Sequence, residues 1–137
     1  MPVNPIPSGY HTVTPYLTIH GATELLQFVK DAFGAREIEC VRSSKGRVQH
    51  AQVTIGDSFL MMGEAPPDFS PMPCTLYLYV ESVDQWFERA VKAGGEILEP
   101  LENKFYGDRT AAVMDKSGNR WYLATHVEDV SPEDDRP

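Results

Sequence analysis

Apolar and polar residues alternate with two different periods along the chain, and each period predicts one kind of element. Apolar residues at helical spacing, ended by glycine, predict one helix up to Gly34 and a second up to Gly94. Ser82 and Gln85 form a capping-box pattern where the second helix begins. Strand-like alternation between turn residues predicts strands at about residues 14–20, 36–42, 48–55, 58–63, 75–80, 96–101, 110–115 and 120–125.

The same order of elements occurs twice, which indicates an internal repeat. Residues 14–41 and 74–101 both give a strand, a helix, a glycine and a strand that begins with Glu-Ile. The offset between the copies is 59 or 60 residues, and this alignment pairs Leu17 with Tyr77 and Phe28 with Phe87. Each unit is therefore predicted to be βαβββ.

The repeat predicts one domain, residues 1–137, built from two modules. We expect module 1 at about 12–64, a proline-rich linker at 65–73, module 2 at about 74–127 and an acidic tail at 128–137. One unit of about 55 residues would bury only a marginal core. The predicted fold class is therefore α+β: paired βαβββ modules that form a curled mixed sheet around a cleft, with the helices outside. Such a cleft is a natural place for a ligand.

Charge and hydropathy exclude some classes of partner. Twelve Lys+Arg and 20 Asp+Glu give a formal net charge of −8, which disfavours nucleic acid and anionic membranes as partners. Half of this excess lies in residues 128–137, where five acidic residues accompany one arginine, so it says little about a site. No apolar run approaches the roughly 18 residues of a membrane helix, and we expect no signal peptide.

The cysteine content points to a reducing compartment. Cys40 and Cys74 are far apart in the sequence, with no CxxC motif. A short secreted domain held by disulfides usually has more cysteines. We therefore expect two free thiols and a cytoplasmic protein.

Strand alternation separates residues that pack under the helices from residues that face the cleft. Leu76 and Leu78 are aliphatic, so Tyr77 and Tyr79 should face the cleft. Aromatic rings with a few polar groups are typical of a small-molecule pocket, although the same rings could belong to an ordinary surface or dimer interface. The predicted ligand-binding residues are His50, Gln52, Phe59, Met61, Thr75, Tyr77, Tyr79, Tyr106, Arg109 and Tyr122.

His50 is the best candidate for catalysis, because it lies on the predicted cleft face and imidazole can act as an acid, a base or a ligand. A histidine that is only hydrogen-bonded to its strand neighbours is the simpler interpretation. Arg109, in the string FYGDR, could grip an anionic or carbonyl group at the cleft. It could instead pair with Asp108 to fix the loop.

Three further features have mainly structural interpretations. Asp115 to Gly118 predict a turn in which the aspartate caps the backbone and the glycine takes a positive φ. His20 and His126 lie at strand ends, where they could help to bind a metal but are more simply solvated. Glu64 is expected to be a linker residue that lies close to the cleft.

Several longer strings resemble a known superfamily. TPYLTIHGATELLQFVKDAFGA, VQHAQVTIGDSFLMM, FYGDRTAAVMDKSGNRWYLATH and VEDVSP are similar to the vicinal oxygen chelate superfamily, which includes glyoxalases, dioxygenases and bleomycin-resistance proteins. The likeness points to its PhnB-like branch and covers about residues 12–132. It implies paired βαβββ modules and a homodimer whose cleft is completed by the partner or by exchanged modules.

The resemblance also implies a divalent metal held by the first and last strands of each half. Carried over residue by residue, the family's ligand positions fall on Pro15, Met61, Thr75 and Tyr122. None of these is a usual ligand for a transition metal. We therefore predict no cofactor and no metal ion, with a divalent metal as the alternative.

Three hypotheses follow for function. The first is a metal-independent protein that binds an aromatic or amphipathic small molecule. The second is an enzyme, such as a glyoxalase-like lyase or isomerase, which uses His50 or an unidentified divalent-metal site. The third is a structural or regulatory dimer whose cleft is filled by its own side chains. The sequence alone leaves open whether any reaction is catalysed.

Overall fold

The computed structural model describes residues 3–131, and within them two modules of one helix and four strands each. The first module consists of β1 (Tyr16–Ile19), α1 (Ala22–Phe33), β2 (Arg36–Arg42), β3 (Val48–Ile55) and β4 (Ser58–Glu64). The second module consists of β5 (Thr75–Tyr79), α2 (Val83–Lys92), β6 (Glu96–Asn103), β7 (Asp108–Met114) and β8 (Arg120–His126). Part of the predicted acidic tail, residues 132–137, lies outside the described residues.

The strands form two four-stranded mixed sheets with the same topology. Their orders are β1-β4-β3-β2 and β5-β8-β7-β6. In each sheet the first and last strands pair in parallel, and the other pairs are antiparallel. The α+β class with paired βαβββ modules is therefore confirmed.

The register of the parallel pairs corrects the sequence alignment of the repeat by one residue. Leu17 lies opposite Met62 in the first sheet, and Leu76 lies opposite Trp121 in the second. All four side chains pack in or against the core, as do Leu78 and its partner Leu123, so Leu17 corresponds to a core-facing leucine of β5, Leu76 or Leu78, and not to Tyr77. The physical reason is that a slip of one residue would turn every side chain of the strand to the opposite face.

Each helix covers one face of its own sheet, and the two helices pack against each other. The contact between modules is aromatic: the ring of Phe33 stacks on that of Trp86 and touches that of Trp121, with centroids 5.8 Å and 5.0 Å apart. The buried apolar residues of both modules form a single core. The opposite face of each sheet, called here its open face, is left without a helix.

The starts of both helices are stabilised by side chains from the last strand of their own module. Ser82 caps α2 by accepting a hydrogen bond from the Gln85 amide, as the capping pattern predicts. The hydroxyl of Thr125 on β8 accepts a bond from the Val83 amide. Helix α1 begins at Gly21 with no cap of its own, and the Glu64 carboxylate caps it from β4.

Glu64 is therefore a strand residue with a structural task, which corrects its assignment to the linker. Its Oε1 accepts a hydrogen bond from the Ala22 amide at 2.9 Å, and its Oε2 accepts one from the Gly21 amide at 3.1 Å. The linker prediction failed because β4 extends one residue further than the alternation indicated.

The turn between β7 and β8 is confirmed as an aspartate-capped turn. Asp115 Oδ1 accepts hydrogen bonds from the Ser117 and Asn119 amides, and Gly118 has φ +92°. The same carboxylate also accepts a bond from the Trp121 indole at 2.8 Å. The turn is thus tied directly to the largest buried side chain of the core.

Candidate functional site

The open face of the second sheet has a cluster of tyrosine rings. Tyr77 and Tyr79 of β5 are 43% and 66% exposed, whereas Leu76 and Leu78 between and beside them pack against the core. The predicted alternation of this strand is therefore confirmed. Tyr77 stacks on Tyr122 of β8 at a centroid distance of 6.0 Å and lies 5.2 Å from the Tyr79 ring.

Asp108 lies at the centre of this face and is 3% exposed. Its Oδ2 accepts hydrogen bonds from the Tyr77 and Tyr79 hydroxyls at 2.7 and 2.9 Å. Its Oδ1 lies 2.9 Å from Nδ1 of His126. Burial raises the pKa of Asp108, but hydrogen bonds from His126 and the two tyrosines lower it by more, so the pKa lies below its ordinary value.

The same contacts change the pKa values of the donors. Burial, followed by the hydrogen bonds to Asp108 and Tyr106, raises the pKa of Tyr77 well above its ordinary value. The bond to Asp108 raises the pKa of Tyr79. Both phenols therefore remain protonated donors at neutral pH.

His126 joins Asp108 to the segment that follows β8. Its Nε2 lies 2.7 Å from Oδ1 of Asp129, and its Nδ1 faces Asp108. Hydrogen bonds to Asp129 and then to Asp108 raise the pKa of His126. The imidazole thus links a buried carboxylate with a fully exposed one.

These groups line an open groove of about 660 Å³. We call it the tyrosine groove, and it is lined by Tyr77, Tyr79, Phe105, Tyr106, Asp108 and His126. The structure thus brings together three of the predicted ligand-binding residues, Tyr77, Tyr79 and Tyr106. Asp108 and His126 belong to the same site but are missing from the predicted set, because their strands bring them together only in the folded sheet.

The open face of the first sheet carries a smaller polar site around His50. The Nδ1 of His50 lies 3.2 Å from the Tyr16 hydroxyl, and the two rings are 5.7 Å apart. Gly63 makes room for this pair, because a Cβ there would lie 2.5 Å from the Tyr16 hydroxyl oxygen. His50 is therefore partly exposed on the open face, on the side that the alternation predicts, and only its neighbouring phenol was not predicted.

The N-terminal segment lies over the other half of this face. The Tyr10 ring stacks on Phe59 with centroids 3.8 Å apart and an interplanar angle of 15°, and its hydroxyl donates to Gln52. Two of the predicted ligand-binding residues, Gln52 and Phe59, are therefore in contact with the chain's own tyrosine. Tyr10 precedes the first predicted module, and the sequence around it carries no signal for this contact.

A second cavity, of about 620 Å³, lies between the modules. The β3–β4 hairpin, residues 55–60, forms one wall, and residues 76–81 of the second module form the other, with Trp86 and Trp121 also in the lining. Phe59, Tyr77 and Tyr79 line this cavity together. The region between the modules is thus open to a molecule of moderate size.

Arg109 lies on the helix side of β7, which corrects its predicted place at the cleft. Its guanidinium donates two hydrogen bonds to Asp84 at the start of α2, at 2.9 and 3.2 Å, and one to Asn103. The bond from Arg109 lowers the pKa of Asp84. The reason is alternation, since Asp108 and Arg109 are adjacent and must face opposite sides of the sheet. The expected Asp108–Arg109 pair is likewise wrong.

Of the remaining predicted residues, Tyr122, Met61 and Thr75 lie on the open faces, whereas Pro15 precedes β1 and lines the cavity between the modules. Tyr122 donates a hydrogen bond to Glu99 at 2.8 Å. Met61 and Thr75 offer no strong metal donor, and Pro15 lacks any side-chain donor. Among residues 3–131, no group of three histidine, cysteine, aspartate or glutamate residues could hold a metal ion. The residues at the family's ligand positions therefore do not fit the divalent metal.

The histidines and cysteines outside these faces have structural surroundings. His20 lies 3.0 Å from the Phe69 carbonyl oxygen through Nε2, and among the described residues neither His20 nor His126 belongs to a group of three potential metal ligands. Cys40 and Cys74 are both free thiols. Burial raises the pKa of Cys74, so a smaller fraction of this thiol is present as the reactive thiolate. In the part of the chain that is described, no helix has the length and apolar character needed to cross a membrane.

Comparison with known proteins shows the family to which this chain belongs. The sequence model of the Glyoxalase/Bleomycin resistance protein/Dioxygenase superfamily matches residues 11–123. The chain therefore belongs to this superfamily, as the resemblance of its sequence strings predicts. The match begins just after Tyr10 and ends three residues before His126, so it spans nearly all of both modules.

Individual relatives agree with this assignment. An uncharacterized protein of Mycobacterium bovis is 29% identical over 130 residues, which are 87% of this chain and 86% of that protein. The crystal structure of TioX from Micromonospora sp. ML1 has a TM-score of 0.73 at 24% identity, covering 85% of this chain and 99% of TioX. A PhnB protein from Bacillus cereus has a TM-score of 0.65 at 22% identity, covering 84% and 99% of the two chains. The two structures show a shared fold.

Proposed function

We propose that this protein binds a small aromatic or amphipathic molecule on its open faces without a metal ion. The observation that carries the proposal is the tyrosine groove, in which aromatic rings surround a buried and fully hydrogen-bonded carboxylate. Such grooves combine contact area from the rings with orientation from a few polar groups. The unsuitable residues at the family's metal positions support the absence of metal from the mechanism.

Binding in this scheme depends on groups that are already fixed before the ligand arrives. The hydrogen bonds to Asp108 hold the phenols of Tyr77 and Tyr79 in place, so little side-chain freedom is lost on binding. Their rings remain exposed and available for contact. The cavity between the modules adjoins the same two tyrosines, so an elongated molecule would reach from one to the other.

Three finer assignments belong to the same proposal. The fold shared with a PhnB protein supports a place in the PhnB-like branch. Exposed rings on the edge strand β5 support a homodimer in which a second copy completes the cleft. The free thiols support a cytoplasmic location. Light scattering of the purified protein tests the dimer directly.

The experiment is a thermal-shift screen of aromatic and amphipathic compounds on protein dialysed against EDTA. A ligand at about 100 times its Kd contributes about 2.7 kcal/mol, which corresponds to a rise in Tm of roughly 5–10 °C. We expect Tyr77→Ala to abolish this rise and Phe69→Leu, an exposed ring outside both cavities, to preserve it. The proposal fails if no compound stabilises the protein, or if stabilisation requires metal to be restored.

A second candidate is a protein whose face is filled by its own chain, and Tyr10 is the observation that favours it. Tyr10 covers Phe59 and Gln52 as an aromatic ligand would. The tyrosine groove has no such cover from the described residues. In the screen, stabilisation by ligand in Tyr10→Ala but not in the wild-type protein would support this candidate over open binding.

The enzymatic alternative rests on His50 and its contact with the Tyr16 hydroxyl. A partly exposed imidazole beside a phenol is able to exchange a proton with a bound molecule. Turnover of a screened compound that is lost in His50→Ala, with the fold intact, would support catalysis in place of simple binding.

A further inference from the structure

The walls of the tyrosine groove are two pairs of mutually tilted rings. Tyr77 and Tyr79 are inclined by 57° at a centroid distance of 5.2 Å, and Phe105 and Tyr106 by 88° at 5.1 Å. Rings at such angles present both faces and edges to the open groove between them. The face of an aromatic ring is its negative side and attracts cations.

Apart from the Tyr106 hydroxyl, which hydrogen-bonds with Tyr77, the side-chain donors of the groove are directed at carboxylates. The Tyr77 and Tyr79 hydroxyls donate to Asp108, and the two nitrogens of His126 face Asp108 and Asp129. An anionic ligand would have to break one of these bonds and would also meet the charge of Asp108. A cation would meet ring faces and hydroxyl lone pairs, and it would break no bond.

The open face of the second sheet also contains one buried polar atom without a partner among the described residues. Thr110 lies two residues after Asp108 on β7, on the same face of the sheet, and is 1% exposed. Its hydroxyl oxygen has no hydrogen-bond partner among residues 3–131. Buried polar atoms in native proteins are normally satisfied.

We propose that the tyrosine groove binds an organic cation, namely an ammonium group on a small, partly apolar molecule. This inference rests on the proposed binding function and specifies the chemical class of its ligand. The ring faces hold the cation, Asp108 supplies the buried negative charge, and the apolar part of the molecule extends toward the cavity between the modules. The formal net charge of −8 favours the approach of a cation in general.

The charges around the groove make cation binding depend on pH. The titratable groups that face the groove or contact its lining are Asp108 of β7, His126 of β8, Asp129 after β8, Tyr77 and Tyr79 of β5, and Tyr106 of the turn before β7. The nearby Lys104 forms ion pairs with Glu99 and Glu102. Protonated His126 neutralises Asp108 and repels a cation. Because its pKa is raised, binding should strengthen as the pH rises through that value, which lies above the ordinary 6.5.

The test compares choline with its neutral isostere 3,3-dimethyl-1-butanol at constant ionic strength, by ¹H–¹⁵N chemical-shift titration from about pH 6 to about pH 9. We expect choline to shift the amides of Tyr77, Tyr79 and Asp108, with an affinity at least roughly tenfold higher than that of the isostere. We also expect the affinity for choline, and not that for the isostere, to increase with pH.

Variants distinguish the contribution of the aromatic rings from that of the negative charge and from a loss of folding. Tyr79→Leu removes a ring face and should weaken choline binding about tenfold, whereas Tyr79→Phe should lose less and Phe69→Leu nothing. Asp108→Asn should abolish the preference for choline, and the ¹⁵N spectrum of each variant reports whether it is folded. Equal binding of choline and isostere that is sensitive to Tyr79→Leu would overturn the cation inference and leave the proposed function standing. No binding of choline to the folded wild-type protein would also overturn it.

Discussion

Asp108 shows how a single buried carboxylate can organise one face of a sheet. Three side chains from β5 and β8 converge on it, and their combined hydrogen bonds outweigh the cost of its burial. The carboxylate fixes the two phenols, and the phenols in turn fix the orientation of their rings. The geometry of the tyrosine groove therefore depends on one residue that hardly touches solvent.

Gly107, directly before Asp108, allows the segment after β8 to approach the groove. It has φ +97°, and its carbonyl oxygen accepts hydrogen bonds from the amides of Val127 and Glu128. A Cβ at this position would overlap the carbonyl oxygen of Glu128. No side chain other than that of glycine therefore fits while the segment remains in place.

We predict that Gly107→Ala destabilises the protein more than Gly46→Ala, measured by urea unfolding. Gly46 also has a positive φ, +80°, but a Cβ placed on it would meet nothing within 4 Å, so its variant carries only the backbone strain of about 1–2 kcal/mol. Gly107→Ala adds steric overlap and should cost at least about 1 kcal/mol more. Equal losses of unfolding free energy in the two variants would show that the segment after β8 does not restrict the side chain at position 107.

At the residue scale, the sequence predicted which way strand residues point but not what they meet. Alternation correctly predicted that Tyr77 and Tyr79 point away from the core, because the leucines beside them pack against it. These tyrosines meet Asp108 and His126 only because β5, β8 and β7 lie side by side in the folded sheet. Tyr10 reaches Phe59 through an irregular segment, and such a segment has no periodicity from which its position can be predicted.

At the element scale, the two helices begin in different ways although the modules repeat. Helix α2 has its own serine cap and additional support from Thr125. Helix α1 has Gly21 at the cap position, so its first amides depend on Glu64 at the end of β4. The negative carboxylate also suits the positive end of the helix dipole. In the first module, the carboxylate of the last strand therefore holds the start of the helix.

We predict that Glu64→Ala lowers the free energy of unfolding by about 1–2 kcal/mol, because it leaves the first amides of α1 without an acceptor. Glu37→Ala is the control: Glu37 pairs with Lys30 at the surface, and its loss should cost less than about 0.5 kcal/mol. Urea denaturation of both variants provides the measurement. A cost for Glu64→Ala no larger than that of the control would contradict the assigned cap.

The elements themselves were largely predictable, because each has a clear period and a turn residue at its end. The strands β2 and β3 have the predicted bounds, and α2 starts at the predicted cap. The alignment between the repeats was less reliable, since β1 and β5 are short and a shift by one residue still superimposes apolar on aromatic residues. The pairing of Leu17 with Met62, and of the β5 leucines with Trp121 and Leu123, shows that Leu17 aligns with a leucine and not with Tyr77.

At the scale of the whole molecule, the two modules depend on each other through one core. Phe33 of the first module lies against both tryptophans of the second, and the core residues of both modules are continuous. Both open faces are positioned by this contact. A substitution in the core of either module should therefore also lower the stability of the other module, as expected of a single cooperative unit.

We predict that Met62→Ala, in the first module, shifts the unfolding of the second module by the same amount as that of the first. Met62 is fully buried in the first sheet, and its truncation should cost about 2–4 kcal/mol. The protein has two tryptophans, Trp86 and Trp121, and both lie in the second module, so their fluorescence reports on that module and on its contact with Phe33 of the first. Far-UV circular dichroism reports on both. Coincident urea midpoints in the two signals, lowered together by the substitution, are the expected result. A fluorescence midpoint that remained at its wild-type value while the circular dichroism changed would show that the modules unfold separately.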